Sequence, residues 1–234
     1  MSITFLPTIT TITPGGWRGK VGEIDRLGIK EAAVFPTCLE FGERRELYAA
    51  LEQTKLKSVP FVHIRSDMSA SELDYFIKRW KTRVFNIHPP GYRPLAFDPA
   101  PYRDKIYIEN IDTKDQPKFI WREEEIAQFA GICIDFTHME ANRLLYPDRF
   151  ERNTQIIAKF PCGCAHISAI TPALKFDPYT KMNRYDFHRF ENLNEFDYLR
   201  NYPRGYFPKY AALELENSLA EQLKAKQYIE VLLK

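Results

Sequence analysis

No apolar stretch in the 234-residue sequence is long enough to cross a bilayer, since its most apolar windows are short runs of the kind found in strands. Residues 1–7 carry no basic region ahead of an apolar core, so no secretory signal is expected. The four cysteines show no pairing framework, and the Cys162-Gly-Cys164 segment lacks the second half of a zinc ribbon. We therefore expect a cytoplasmic protein without a membrane partner, in which the cysteines fill apolar space.

A large excess of one charge is also missing, because 33 basic residues face 31 acidic ones and the net charge is +2. This balance argues against an obligate nucleic-acid binder, whose surface is strongly basic, but it is compatible with a local phosphate-binding patch. The turn Thr13-Pro-Gly-Gly-Trp17 matches the dinucleotide-binding fingerprint poorly. No low-complexity segment or linker divides the chain, so we expect residues 1–234 to form a single domain.

What the sequence does have is a repeat of short β-branched or aromatic runs, and its 44% content of hydrophobic residues supports a sizeable core. The eight runs cover residues 3–6, 32–35, 59–63, 84–88, 106–110, 131–135, 164–168 and 210–216. Eight strand–helix units in a chain of this length predict an α/β fold, a single (β/α)8 TIM barrel with its active site at the C-terminal face of the strands. A doubly wound open sheet is the alternative.

Helical patterns follow most of these runs. They cover residues 17–27, 43–53, 69–80, 122–130, 156–160 and the segment from 218 onward, and the third opens with a capping box of Ser69 and Glu72. Five prolines between residues 89 and 101 leave no room for a full helix after the fourth run. Residues 171–191 are predicted to form a long polar and aromatic loop.

Imidazoles and carboxylates cluster at the ends of the runs. The residues in question are His63, His88, Glu109, Asp135, His138, His166, Asp186, His188 and Glu214. A single histidine at a strand end is usually a hydrogen-bonded structural residue, but a barrel brings all of these ends to one face. Buried carboxylates that lie close together need cations, and divalent metals bound by carboxylate and imidazole supply them. Glu214 and Glu216 are expected to point the same way on the last strand, so either is a candidate ligand.

This pattern resembles the xylose-isomerase-like barrel superfamily and, within it, the endonuclease IV family of abasic-site nucleases. In the superfamily, one metal is bound by a Glu ending the fifth strand, an Asp in an Asp-x-x-His motif, a His ending the seventh strand and a Glu on the eighth. Those positions are matched here by Glu109, Asp135, His166 and Glu214. The nuclease family adds ligands for two further metals, and these are matched by His63, His88-Pro89, His138 and Asp186-Phe-His188.

The resemblance implies up to three divalent metal ions per chain, with zinc as the first expectation and manganese or iron as the alternatives. It assigns Glu109 as a bridge between the ion held by His63 and His88 and the ion held by Asp135, His166 and Glu214, and it leaves His138, Asp186 and His188 for a third ion. Glu109 and Glu214 are the expected catalytic residues. Lys181, Arg184 and Arg189 flank the Asp-x-His pair and are candidates to contact phosphate, the alternative being a solvated basic loop.

The sequence also departs from the nuclease pattern. Ile-Ser-Ala-Ile follows His166 where that family carries an Asn-Asp pair, and Asn110-Ile-Asp-Thr replaces a Gly-rich turn. The chain is shorter and less basic than those nucleases, which argues for reduced DNA-gripping loops. The partner expected from the sequence is therefore a phosphate-containing substrate, with abasic DNA as one candidate, or a small sugar.

The leading functional hypothesis is a multinuclear metal-dependent phosphoesterase. The second is a one-metal sugar isomerase or epimerase, in which Glu109 and Glu214 act as acid and base on a small ketose. An iron-dependent oxidative enzyme has the same ligand types. A non-catalytic binding module has no support, because no ligand position is missing. The sequence leaves the oligomeric state open.

Overall fold

Eight short parallel strands close into a barrel in the computed structural model, which describes residues 3–91, 94–111, 121–177 and 181–234. The barrel strands are β1 (Thr4–Thr10), β2 (Ala33–Phe35), β3 (Phe61–His63), β4 (Val84–Ile87), β5 (Ile106–Glu109), β6 (Gly131–Asp135), β7 (Cys162–Ile167) and β10 (Tyr210–Leu213). An antiparallel hairpin of β8 (Ala169–Asp177) and β9 (Met182–Phe187) follows β7. The barrel order is β1-β10-β7-β6-β5-β4-β3-β2, so the predicted TIM barrel is confirmed.

Strand alternation divides the core into two parts. Inward side chains fill the lumen, and they include Leu6, Ala33, Phe35, Phe61, Val84, Cys133, Cys164 and Ala212. Outward side chains such as Ile132 and Ile134 join the larger cluster between strands and helices. Because apolar residues pack the lower and middle lumen, the inward positions at the C-terminal ends of the strands are the ones left for polar groups.

Helices cover the outside of the barrel. They are α1 (Gly16–Arg26), α2 (Phe41–Glu52), α3 (Ala70–Trp80), α4 (Glu123–Ile126), α5 (Phe136–Leu145), α6 (Pro147–Ile157) and α7 (Leu219–Leu232), with 3-10 segments at Leu193–Asn201 and Arg204–Tyr206. The predicted capping box opens α3, since Ser69 and Glu72 exchange side-chain and backbone hydrogen bonds. Within the described residues, none of these helices has the length and apolarity needed to span a membrane.

Several local predictions need correction. The described part of residues 171–191 consists largely of β8 and β9, which pair through backbone hydrogen bonds, and is therefore not the predicted loop. Residues 178–180 lie outside the described part. The helix expected over 122–130 is the single turn α4, and two helices, α5 and α6, precede residue 160 where one was expected. In the described residues between β4 and β5 no helix forms, as the prolines predict.

Gln222 links helix α7 to β1, the strand that closes the barrel by pairing with β10. Its fully buried side chain accepts a hydrogen bond from the backbone N–H of Thr8 at 2.7 Å and donates to the Thr8 carbonyl at 3.0 Å. The same amide donates to the carbonyls of Leu215 and Asn217, at 3.0 and 3.1 Å. One side chain thus joins β1, the segment after β10 and the last helix.

Replacing Gln222 with alanine is expected to lower the free energy of unfolding by about 2–4 kcal/mol, because each buried backbone group left unpaired costs roughly 1–3 kcal/mol. Gln227→Ala on the same helix is the matched control, since Gln227 is exposed. Urea denaturation followed by circular dichroism measures both. Equal loss in the two variants would show that the amide of Gln222 does not hold the closure together.

Candidate metal centre

Six of the predicted ligands meet at the C-terminal mouth of the barrel. His63, Glu109 and Asp135 are the last residues of β3, β5 and β6, and His166 is the next-to-last residue of β7. His88 and Glu214 are the first residues after β4 and β10. All are buried except His88, which is half-buried. Each apolar strand therefore delivers its polar end residue to the same end of the barrel, as parallel strands in a closed barrel must.

Glu109 lies at the centre of this arrangement. Its Oε2 is 2.9 Å from His63 Nε2, and its Oε1 is 3.4 Å from His166 Nδ1. Among the described residues, two groups of side chains have ligand atoms within 4.8 Å of one another: His63, His88 and Glu109, and Glu109, Asp135 and His166. Glu109 belongs to both, so its carboxylate could bridge two ions.

The hydrogen bonds of His63 favour a cation in the first group. Its Nδ1 lies 3.1 Å from the carbonyl oxygen of Ile64 and therefore carries a proton that it donates. In the neutral ring Nε2 then presents a lone pair to the Glu109 carboxylate, another acceptor. Two acceptors at 2.9 Å repel each other unless a proton or a metal ion lies between them.

Three carboxylates surround His166 in the second group. Its Nδ1 is 3.2 Å from Glu214 Oε2, 3.4 Å from Glu109 Oε1 and 3.8 Å from Asp135 Oδ2. Asp135 Oδ1 accepts the backbone N–H groups of Thr137 and His138, at 2.7 and 2.8 Å, as the cap of α5. Asp135 Oδ2 and both ring nitrogens of His166 are buried without a hydrogen-bond partner among the described residues. Such atoms fit a metal ion, which would satisfy them together.

The pKa values of the carboxyl groups reflect this crowding. Burial would raise the pKa of Glu109, but His166 and His63 hold it well below its ordinary value. Burial likewise opposes ionisation of Asp135, and His138 and His166 lower its pKa. The pKa of Glu214 is lowered against burial by His188 and His166. The carboxylates are therefore ionised at neutral pH and available as ligands.

The histidines divide into two kinds. Burial lowers the pKa of His88 to about 4, so its ring is neutral and can offer a lone pair. Burial would also lower the pKa of His166, but Cys133 and the carboxylates of Glu109 and Glu214 raise it well above its ordinary value. A metal ion entering the second group must therefore displace the proton of His166, which makes metal binding weaken as the pH falls.

The remaining three predicted ligands lie nearby but are differently engaged. His138 Nδ1 is 3.5 Å from Asp186 Oδ2, while Arg184 holds the same carboxylate through a bidentate pair, with Nε 3.0 Å from Oδ1. His188 Nδ1 lies 3.3 Å from both Ser168 Oγ and the Glu214 carbonyl. In the part of the chain that the structure describes, His138, Asp186 and His188 do not form a third group of close ligand atoms. A third metal ion stays a prediction from the resemblance.

Glu216 is held away from the cluster. The last strand ends at Leu213, so the expectation that Glu214 and Glu216 share a strand face was wrong. The Glu216 carboxylate pairs with Lys20 Nζ at 3.2 Å and accepts the backbone N–H of Thr13 at 2.7 Å. Burial opposes ionisation, yet Lys20 lowers the pKa of Glu216 to about 2. Glu214 is therefore the candidate ligand of the two.

The candidate phosphate-contacting residues differ in their surroundings. Arg184 forms ion pairs with Asp186 and with Asp177, whose Oδ2 lies 3.4 Å from Arg184 Nη1. Lys181 and Arg189 are exposed. A cavity of about 100 Å³ that is partly open to solvent lies instead beside the imidazoles of the first group. Its lining consists of Thr37, His63, Ile64, Arg65, Ser66, Ile87, His88 and Pro89.

Two asparagines of the site were not predicted from the sequence. Asn86 Nδ2 donates to Glu109 Oε2 at 2.5 Å. Asn110 receives the backbone N–H of Asp135 at 2.7 Å and donates to its carbonyl at 3.0 Å, which fixes the end of β6. The available signal was a polar residue at an inward position of an apolar run, as in Val-Phe-Asn-Ile of β4.

No protein-family model matches the chain, and no curated protein matches it. Similar solved structures include a xylose isomerase-like TIM barrel protein from Mycobacterium smegmatis in complex with magnesium, with 12% identity, a TM-score of 0.47, and coverage of 99% of this chain and 97% of that one. A xylose isomerase domain containing protein from Salmonella typhimurium LT2 shows 13% identity, a TM-score of 0.48 and full coverage of both chains. The probable 3-DHS dehydratase AsbF from Bacillus anthracis shows 12% identity, a TM-score of 0.44 and 98% coverage of both chains. At such identities only the fold is comparable, so the chemistry has to be argued from the side chains of this chain.

The distinct environments of Glu214 and Glu216 predict distinct effects on metal binding. Glu214→Gln is expected to weaken zinc binding by at least about 100-fold, the upper end of the loss typical when a residue that only supports a ligand is removed. Glu216→Gln should keep the zinc affinity but unfold at lower urea, because Lys20 loses its buried partner. Competition with a chromophoric chelator measures the affinity, and the reverse ranking would assign Glu216 as the ligand.

Proposed function

We propose that this protein is a metal-dependent phosphoesterase that uses two divalent ions bridged by Glu109, an arrangement like that of endonuclease IV. The observation that carries the proposal is that the two oxygens of the Glu109 carboxylate face different imidazoles: Oε2 faces His63, and Oε1 faces His166. A one-metal site at Glu109, Asp135 and His166 would not need His63 and His88 beside the other oxygen of the Glu109 carboxylate. Zinc is the first expectation, since imidazole and carboxylate ligands suit it well.

The side chains take separate roles in this proposal. His63 and His88 would hold one ion, and Asp135, His166 and Glu214 would hold the other. Such ions would supply charge that lowers the pKa of water toward neutral pH and that neutralises a phosphate. Asp135, fixed by the two N–H groups of α5 and by Asn110, keeps its free oxygen aimed at His166. Glu214, beside the same imidazole, can accept a proton from the water or return one to the leaving group.

The cavity beside His63 and His88 is the proposed place of the substrate. It combines hydroxyl-bearing residues, Thr37 and Ser66, with apolar walls, and its volume of about 100 Å³ suits a compact group. Arg65 lines it but is held by Asp67 at 2.7 and 3.1 Å, so its charge is largely balanced. These features favour a small phosphate ester over duplex DNA, and abasic DNA is the comparison substrate.

A sugar isomerase or epimerase is the second candidate. Glu109 and Glu214 both lie within 3.4 Å of His166 Nδ1, which places two carboxylates around one ion as an acid–base pair would require. That function needs one metal per chain. Elemental analysis of protein purified without chelator separates the two, since two or more ions per chain support the phosphoesterase and one supports the isomerase.

Glu109→Gln is expected to lower phosphodiester hydrolysis by about 10³-fold or more, since it removes a bridging charge as well as an electrostatic contribution that alone is worth on the order of 10²–10³. Bis(p-nitrophenyl) phosphate, abasic duplex DNA and a panel of ketoses serve as substrates for the zinc-loaded protein. Activity on ketoses alone would sink the proposal.

The matched control is Glu140→Gln. Glu140 is an equally buried carboxylate, but it is held by Arg143, Asn201 and Tyr202 outside the ligand groups. Its variant should keep the activity of the wild type even if it is less stable. Equal activity in Glu109→Gln and wild type would show that Glu109 has no part in the reaction.

A further inference from the structure

Asn86 is a fully buried amide in the middle of the proposed two-metal centre. It points inward on β4, next to His63 in the strand register, with β5 on its other side. The hydrogen bond shown for this side chain runs from Nδ2 to Glu109 Oε2, at 2.5 Å.

The orientation of the amide follows from its partner. An ionised carboxylate only accepts hydrogen bonds, so the group facing Glu109 must be the NH₂ and not the carbonyl. Asn86 Oδ1 is left buried without a partner among the described residues. A leucine of similar volume would avoid this cost, so an amide at this position is a poor choice for packing alone.

The contact fixes which oxygen of Glu109 serves which ion. Oε2 is held by Asn86 on the side of His63 and His88, and Oε1 is thereby turned toward His166. Without a donor at residue 86, the carboxylate is free to rotate and to place both oxygens on one ion. Bridging would then be lost even though every ligand is present.

Resting on the proposed two-metal function, we propose that Asn86 is a positioning residue that locks Glu109 in its bridging orientation by donating to Oε2. It acts through Glu109 and touches neither the substrate nor the reacting atoms. The alternatives are that Asn86 only fills the lumen, or that its Oδ1 is itself a metal ligand.

Three substitutions separate these roles. Asn86→Leu removes the donor and keeps the volume, and Asn86→Ala repeats the test if leucine prevents folding. Asn86→Asp removes the donor but keeps an oxygen ligand. The matched control is Asn142→Leu, because Asn142 is also a buried amide with an unpartnered Oδ1, yet it donates to the His138 carbonyl at 2.9 Å and not to a carboxylate.

The measurement is electron paramagnetic resonance of the full-length protein titrated with Mn²⁺, together with the affinity for each ion. Two carboxylate-bridged Mn²⁺ ions give an exchange-coupled spectrum, whereas separate ions give the six-line signal of isolated Mn²⁺. Wild type and Asn142→Leu should show coupling. Asn86→Leu and Asn86→Asp should lose it and bind the second ion about 10- to 100-fold more weakly, the range typical for residues that support a ligand.

Coupling retained in Asn86→Leu would overturn the inference and leave the two-metal centre standing. Coupling retained in Asn86→Asp but lost in Asn86→Leu would also overturn it, in favour of Oδ1 as a ligand. A wild type that binds one Mn²⁺, or two without coupling, would overturn the proposed function itself, and so the two failures are distinguishable.

Discussion

Charge balance at one end of an apolar barrel lumen is the constraint on which this structure depends. Glu109, Asp135 and Glu214 are buried within reach of one imidazole, and the lumen below them is apolar. Three ionised carboxylates in such a place repel one another and have lost their hydration, so they persist only with cations among them. Protons on the imidazoles meet part of this demand, and divalent metals meet it more fully because each carries two charges and binds several of these ligands at once.

The surrounding structure holds these ligands in fixed positions. The side-chain amide of Asn110 forms two hydrogen bonds with the backbone of Asp135. The side chain of Gln222 links β1 to the last helix, α7. The Lys20–Glu216 pair joins α1 to the segment that carries Glu214, and the backbone N–H of Thr13 in the loop after β1 donates to the same Glu216 carboxylate. The Glu216 backbone N–H donates to the His188 carbonyl at 2.5 Å. Rigid partners of this kind reduce the reorganisation needed when ligands close around an ion.

The fold and most of the cluster were predictable because both rest on patterns that local sequence expresses. An apolar run that ends in His63, Glu109 or Asp135 reports both a buried strand and its polar exit. Asn86 escaped notice because one amide inside an apolar run looks like an ordinary strand residue until its hydrogen bond to Glu109 on the adjacent strand is known. The assignment of Glu214 over Glu216 required the end of β10, and the hairpin required pairing between segments whose exposed side chains give no burial signal. Tertiary partners decide these features, and a single sequence does not display them.

The region predicted to hold a third ion shows how protein cations can take the place of a metal. Burial would lower the pKa of His138, but Asp135 and Asp186 raise it to about 10, so the ring carries a proton at neutral pH. Arg184 supplies a second positive charge to Asp186 through two parallel hydrogen bonds. A third ion would have to displace the proton of His138 and compete with this bidentate pair, whereas His63 and His88 are ready to bind without breaking an ion pair to arginine or lysine in the described structure. The charge of Asp186 is thus balanced by an arginine and an imidazolium, whereas for the carboxylates around Glu109 we propose metal ions.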